Sequence, residues 1–160
     1  MGTFALQLGK QQGCTVWGVD TGDKLKAMKA MGFDHVIDYK QQDFTTLGER
    51  FDLIVDARTK RSASDLARAL SPSGRYVTVG GDPGRLIALL FARWFGRRNM
   101  RILALKSNKN LDALAPMLSN GTLKPVIDGP YLLHEAPRLI RRFGEGLHTG
   151  KVVMEVACAE

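Results

Sequence analysis

Residues 51–81 read FDLIVDARTKRSASDLARALSPSGRYVTVGG, and this stretch decides the fold. Phe51-Asp-Leu-Ile-Val55 is a short run rich in β-formers, Ser62 to Leu70 reads as a helix, and Arg75-Tyr-Val-Thr-Val79 is a second β run. Ser62 sits where an N-cap would, with Asp65 at the third helical position in a capping-box-like pattern. Ser71-Pro-Ser-Gly74 is the turn that follows, and Gly80-Gly81 closes the second strand. Strand, helix, strand in that order is the βαβ unit of a parallel sheet.

The same alternation extends in both directions. Upstream, Thr3 to Gln11 reads as a helix stopped by Gly13, and Cys14 to Val19 as a strand in which Cys14 is a small buried residue. Lys24 to Met31 carries Leu25, Met28 and Met31 at helical spacing, Gly32 ends it as a C′ glycine, and His35 to Tyr39 is another strand. Downstream, Asp82 to Asn99 mixes Leu86, Ile87, Leu89, Leu90, Phe91, Trp94 and Phe95 with four arginines and reads as an inserted helix. Then follow a strand at Met100 to Leu105, a helix at Leu111 to Ser119, an edge strand at Lys124 to Ile127, a helix at Ala136 to Gly144 and a closing strand at Lys151 to Val156. The continuous apolar runs Leu53-Ile-Val55 and Ile102-Leu-Ala-Leu105 suit strands covered on both faces. The expected fold is a Rossmann-like, doubly wound α/β domain with a mostly parallel sheet over residues 1–160.

Composition bounds the function classes. The chain has 160 residues, 44% of them apolar and 24% charged, which suits a globular domain with one core. Its two cysteines, Cys14 and Cys158, form no Cys-x-x-Cys pair, so neither a disulfide framework nor a zinc ribbon is expected, and a cytoplasmic setting fits. The net charge is +7, but the segment from Arg58 to Lys109 alone carries +10 and the remainder −3. That basic segment lacks an aromatic platform, so no nucleic-acid partner is expected. No run is long and apolar enough to span a membrane. Contact of residues 82–98 with acidic lipid is the lesser alternative to packing of this helix over the ligand cleft or a dimer edge of an intact protein. His35, His134 and His148 have no ligand spacing, and no metal is assigned.

In an open α/β sheet, ligands bind beyond the carboxyl ends of the strands. Those ends carry Asp20, Tyr39, Asp56-Ala57 and Gly80-Gly81. An acid at the end of such a strand accepts hydrogen bonds from ribose hydroxyls and repels a 2′-phosphate. Asp20 lies 18 residues beyond Gly2, close to the spacing of a dinucleotide fingerprint, although Gly2 is the one glycine of that fingerprint present. A helix cap or solvated turn is the plain alternative for Asp20.

The order of Gly2-Thr-Phe-Ala-Leu-Gln-Leu8, Gly18-Val-Asp20, Met31-Gly-Phe-Asp-His-Val-Ile-Asp-Tyr39, Phe51-Asp-Leu-Ile-Val-Asp56, Leu70-Ser-Pro-Ser-Gly74, Val79-Gly-Gly81, Gly121-Thr-Leu-Lys-Pro-Val-Ile127 and Gly150-Lys-Val-Val153 resembles the medium-chain dehydrogenase/reductase superfamily. The similarity is strongest to its zinc-independent, quinone-oxidoreductase-like or zinc-type alcohol dehydrogenase-like branch, and it spans the chain. The resemblance implies that Gly2 is the last glycine of the phosphate turn, that Lys24 and Tyr39 flank the adenosine end, and that Ala57, Gly80 and Gly81 line the nicotinamide side. Lys106 falls where this branch closes on the cofactor. The resemblance names no catalytic residue. It implies NAD or NADP as cofactor, with Asp20 favouring NAD and Lys24 the contrary signal.

In the resembled family a catalytic domain and a first strand precede the glycine turn, so the expectation is a truncated cofactor domain lacking its central first strand. Met1 stands where relatives usually have Val, and a GTG codon read as a start would explain that. Such a chain is expected to be weakly stable and to self-associate through exposed sheet edges. Two functions follow: the cofactor-binding portion of an oxidoreductase moving hydride to or from a carbonyl, quinone or activated alkene, inactive as it stands, or a non-catalytic nucleotide-binding or interaction module.

Overall fold

The computed structural model describes residues 2–94, 99–104, 106 and 108–156. The elements run α1 (Gly2–Gln11), β1 (Trp17–Asp20), α2 (Gly22–Ala30), β2 (His35–Asp38), β3 (Phe51–Asp56), α3 (Ala63–Ala69), β4 (Leu70–Thr78), α4 (Pro83–Trp94), β5 (Met100–Ile102), α5 (Leu111–Ser119), β6 (Ile127–Leu132), α6 (Ala136–Gly144) and β7 (Lys151–Glu155). The α/β alternation is therefore as the sequence reads. Among the described residues the strands form three small sheets, β1-β2, β3-β4-β5 and β6-β7. β3-β4, β4-β5 and β6-β7 pair in parallel. Along β1 and β2 the bonds from Asp34 N–H to Val16 C=O and from Tyr39 N–H to Asp20 C=O advance in the same direction, so this pair is parallel too.

The chain divides into two compact units, one comprising Val19–Leu25 and Val36–Lys109, the other Met1–Gly18, Lys26–His35 and Asn110–Glu160. In the first, α3 and α4 cover one face of β3-β4-β5. Leu66, Leu70, Tyr76, Leu89 and Met100 form its buried core, with Phe44, Ile54 and Ile102 packed against it. Ser62 caps α3 as read: its Oγ accepts the Asp65 N–H at 3.2 Å and donates to the Asp65 carboxylate at 2.5 Å. At the other end of α3, the Arg50 guanidinium donates to the Arg68 and Leu70 carbonyls. Gly74 is required where β4 turns under β3, because a Cβ there would lie 2.6 Å from the Phe51 carbonyl oxygen.

In the second unit, the Gln7 amide donates to the Lys124 carbonyl and accepts the Lys124 N–H, both at 2.7 Å, binding α1 to the chain before β6. Asp128 accepts from the Tyr131 hydroxyl at 2.5 Å, the Arg142 guanidinium at 3.1 Å and the Thr149 N–H at 2.9 Å, tying β6 to α6 and to the turn before β7. Burial of this carboxylate opposes its ionisation, but the three donors outweigh that effect and hold its pKa at about 2.

Three expectations change. Cys14 is exposed and precedes β1. Gly13, at φ +72°, ends α1, and the Cys14 N–H returns to the Gly9 carbonyl, so contact with β2 begins with the Val16 carbonyl and β1 itself at Trp17. The strand expected over Lys124 to Ile127 is β6, Ile127–Leu132, because Lys124 is held by Gln7. The apolar run of β3 is covered on one face: Ile54 meets the core, while Leu53 and Val55 are 59% and 48% exposed. Of the inserted helix, α4 accounts for residues 83–94, with Leu89 buried and Ile87, Leu90 and Phe91 exposed, and residues 95–98 lie outside the described residues. No helix among the described residues is long and apolar enough to cross a membrane.

The Asp128 cluster makes a pH prediction. A carboxylate whose pKa falls from 3.8 to about 2 on folding contributes stability that is complete above the unfolded value and is lost as pH falls through about 2. Asp128→Asn is expected to lower unfolding free energy by roughly 1–3 kcal/mol at pH 7, and by progressively less toward pH 2, in denaturant titrations at several pH values. A pH-independent difference would contradict this account.

Candidate functional site

β1 and β2 end side by side. Asp20, the last residue of β1, accepts the Thr21 N–H on Oδ1 at 2.8 Å, and its Oδ2 lies 3.7 Å from the Lys24 ammonium one helical turn on. Tyr39, just past β2, donates its N–H to the Asp20 carbonyl at 3.2 Å and is 46% exposed. Gly22 opens α2 against Asp38, whose Oδ2 would be 2.8 Å from a Cβ at that position. This corner therefore presents a carboxylate, an ammonium and an aromatic ring beside a glycine at a helix start. The Lys24 charge, read from sequence as a competing signal, is engaged by Asp20 itself.

β3 and β4 end on a second constellation. The Val79 N–H donates to the Asp56 carbonyl at 3.2 Å, and the Thr59 N–H to the Gly80 carbonyl at 3.0 Å. Thr59 and Gly81 form an isolated parallel bridge. Gly81, at φ +150°, leaves no room for a side chain, since a Cβ would stand 2.7 Å from the Thr59 nitrogen. Gly80 is more open, its nearest neighbour being the Ala57 carbonyl oxygen at 3.6 Å. Ala57, Gly80 and Gly81 thus meet as a backbone surface.

Beneath that surface lies a chain of hydroxyls that sequence reading missed. The Tyr76 hydroxyl donates to Asp56 Oδ2 at 2.9 Å and is 2.6 Å from Thr59 Oγ1. Thr59 Oγ1 reaches Thr78 Oγ1 at 2.7 Å, and Thr78 Oγ1 donates to the Gly80 carbonyl at 2.7 Å. Thr59, Tyr76 and Thr78 are each 0% exposed. Burial first, and then the facing Asp56 carboxylate, push the Tyr76 phenol up to about 12 against the hydrogen bond from Thr59, so it stays neutral. The available signal was Tyr76 and Thr78 two apart in a strand, hence on one face, with Thr59 placed by the loop.

Two groups of expected residues are therefore assembled: Asp20 with Lys24 and Tyr39, and Ala57 with Gly80 and Gly81. Lys106 is exposed beyond β5, where its carbonyl accepts the Lys109 N–H at 3.4 Å. Gly2 starts α1 in the other compact unit, with open space around it.

Residues 31–154 match the family described as zinc-binding dehydrogenase. The chain belongs to that family. A trans-enoyl reductase of Aspergillus terreus is 28% identical over 174 residues, covering 97% of this chain and 48% of its own length. Quinone-oxidoreductase QR1 of Triphysaria versicolor is 26% identical over 161 residues, covering 97% and 49%. A crystal structure of an NAD-dependent alcohol dehydrogenase aligns with a TM-score of 0.74 at 28% identity, covering 97% of this chain and 48% of that one. The chain spans about half the length of these relatives. Despite the zinc in the family's description, no three His, Cys, Asp or Glu side chains among the described residues come together as a metal site would need. The described residues therefore do not fit a zinc ion.

The two glycines make a contrasting pair of predictions. Gly81→Ala is expected to cost about 1–3 kcal/mol, because both its φ and the Thr59 backbone oppose a side chain, whereas Gly80→Ala should cost less than about 1 kcal/mol. Equal costs by thermal or urea unfolding would refute the close approach of Thr59.

Proposed function

We propose that this chain is the dinucleotide-binding portion of an NAD(P)-dependent oxidoreductase, and that Asp20, Lys24 and Tyr39 receive the adenosine half of the cofactor while Ala57, Gly80 and Gly81 receive the nicotinamide half. The observation that carries the reading is the Asp20 carboxylate at the end of β1, beside the exposed Tyr39 and the start of α2. One carboxylate oxygen is occupied by the Thr21 N–H, and the other, 3.7 Å from the Lys24 ammonium, is the acceptor this reading assigns to a ribose hydroxyl. When bound, a nicotinamide would supply or accept the hydride, and the small residues Ala57, Gly80 and Gly81 would be the surface its ring approaches. The hydride acceptor is a carbonyl, a quinone or an activated alkene, and in the reverse direction the donor is the corresponding alcohol, hydroquinone or saturated compound.

The Asp20 charge favours NAD over NADP, because a 2′-phosphate would meet the carboxylate while Lys24 is already engaged by it. Fluorescence titration is expected to show tighter NADH than NADPH binding, and Asp20→Ser, which releases Lys24, to move the NADPH-to-NADH affinity ratio toward NADPH by roughly tenfold, about 1.4 kcal/mol. NADPH bound more tightly by the unaltered chain would refute the preference; failure to bind either nucleotide would refute the function.

Self-association belongs to the same reading. β3 stands at the edge of its sheet, and Leu53 and Val55 expose apolar surface there. Sedimentation velocity is expected to show an apparent mass that rises with concentration, and a monomer at all concentrations would overturn this.

A further inference from the structure

We infer that the buried hydroxyl chain of Tyr76, Thr59 and Thr78 positions the nicotinamide half of the cofactor, by cross-linking the loop after β3 to β4 so that Ala57, Gly80 and Gly81 present a fixed backbone surface. The inference rests on the cofactor reading above. It assigns to three fully buried residues a role that neither their exposure nor any direct reach to a ligand would suggest.

The geometry makes Thr59 the keystone. Three hydroxyl hydrogens serve four close oxygen contacts, running from Asp56 through Tyr76, Thr59 and Thr78 to the Gly80 carbonyl. With Tyr76 donating to Asp56 and Thr78 to Gly80, both outer hydroxyls are satisfied without Thr59. Thr59 has one hydrogen for its two contacts: it donates to Thr78, and its 2.6 Å contact with Tyr76 is closed only by the Tyr76 hydrogen that also serves Asp56, so Thr59 joins the two pairs by one full bond and one shared bond. One pair fixes the end of β3, the other fixes the carbonyl of Gly80. Its own N–H also reaches that carbonyl, so a single residue sets the distance between the loop that carries Ala57 and the turn that carries Gly80 and Gly81. Tyr76 and Thr78 are positioning residues, as is Thr59; none of them faces the cofactor.

Thr59→Val keeps the volume and removes the hydroxyl, whereas Thr59→Ser keeps the hydroxyl. The test compares NADH with ADP-ribose, which has the same adenosine and pyrophosphate groups but no nicotinamide. The expected result is that Thr59→Val weakens NADH binding by about three- to tenfold, leaves ADP-ribose within about twofold, and that Thr59→Ser restores NADH affinity. Tyr76→Phe, which breaks the chain at its other link, is expected to act in the same direction and serves if the valine variant does not fold. Unchanged NADH affinity in a folded variant, or equal loss for NADH and ADP-ribose, would overturn the inference while leaving the cofactor reading intact. Failure of the unaltered chain to bind either ligand would instead overturn the cofactor reading, and this inference with it.

Discussion

The close approach of Thr59 to Gly81 is the constraint on which the rest of the proposed site depends. Their backbones pair directly, which is open only to a residue without a side chain at position 81. Once the pairing exists, Thr59 is carried inward over the end of β4 and its hydroxyl must find partners in a place closed to water. Tyr76 and Thr78, two residues apart on one face of β4, supply them. The same constraint thus forces a polar chain into the top of an otherwise apolar core made by Leu66, Leu70, Leu89 and Met100. Such a cluster is costly if any member is left unpaired and specific when all are paired, so it defines one arrangement of the loop rather than several.

The two compact units obtain their order by different means. In the unit holding β3-β4-β5, helices α3 and α4 bury one face of a parallel sheet, and the hydrogen-bonded ends of β3 and β4 carry the chemistry. In the other, Asp128 is the organising group, with donors from a tyrosine, an arginine and a backbone amide drawn from three successive segments. A carboxylate held near pKa 2 is ionised over the working range of pH, so this unit's tie is electrostatic as well as steric. Family membership fits the first unit's strand-end architecture. That the matched relatives are about twice as long makes activity a property to be tested on this chain rather than carried over from them.

Local sequence signals located most elements because each is set by neighbours in the chain. Ser62 and Asp65 announce the start of α3, Gly13 and Gly32 the ends of α1 and α2, and the boundaries of α5 and α6 follow from helical periodicity. Of the three errors, that at Cys14 came from the local turn at Gly13, and the other two from outside the local sequence. Lys124 is removed from strand pairing by Gln7, 117 residues away, and Leu53 and Val55 remain half exposed because they lie on the face of β3 opposite the one that α3 and α4 cover. At the candidate site, Asp20 and the glycine pair were legible from their places at strand ends. The pairing of Asp20 with Lys24 required helix geometry, and the hydroxyl chain required Thr59 to be folded back onto β4.

The central claim is that the carboxyl ends of the strands in the Val19–Leu25 and Val36–Lys109 unit bind a nicotinamide dinucleotide. Amide chemical-shift mapping by NMR during an NADH titration tests it most directly. The account predicts saturable shifts concentrated at Asp20, Tyr39, Ala57, Gly80 and Gly81, with the amides around Asp128 and Arg142 unmoved. Shifts centred on the Asp128 cluster, or no saturable shifts at all, would contradict it.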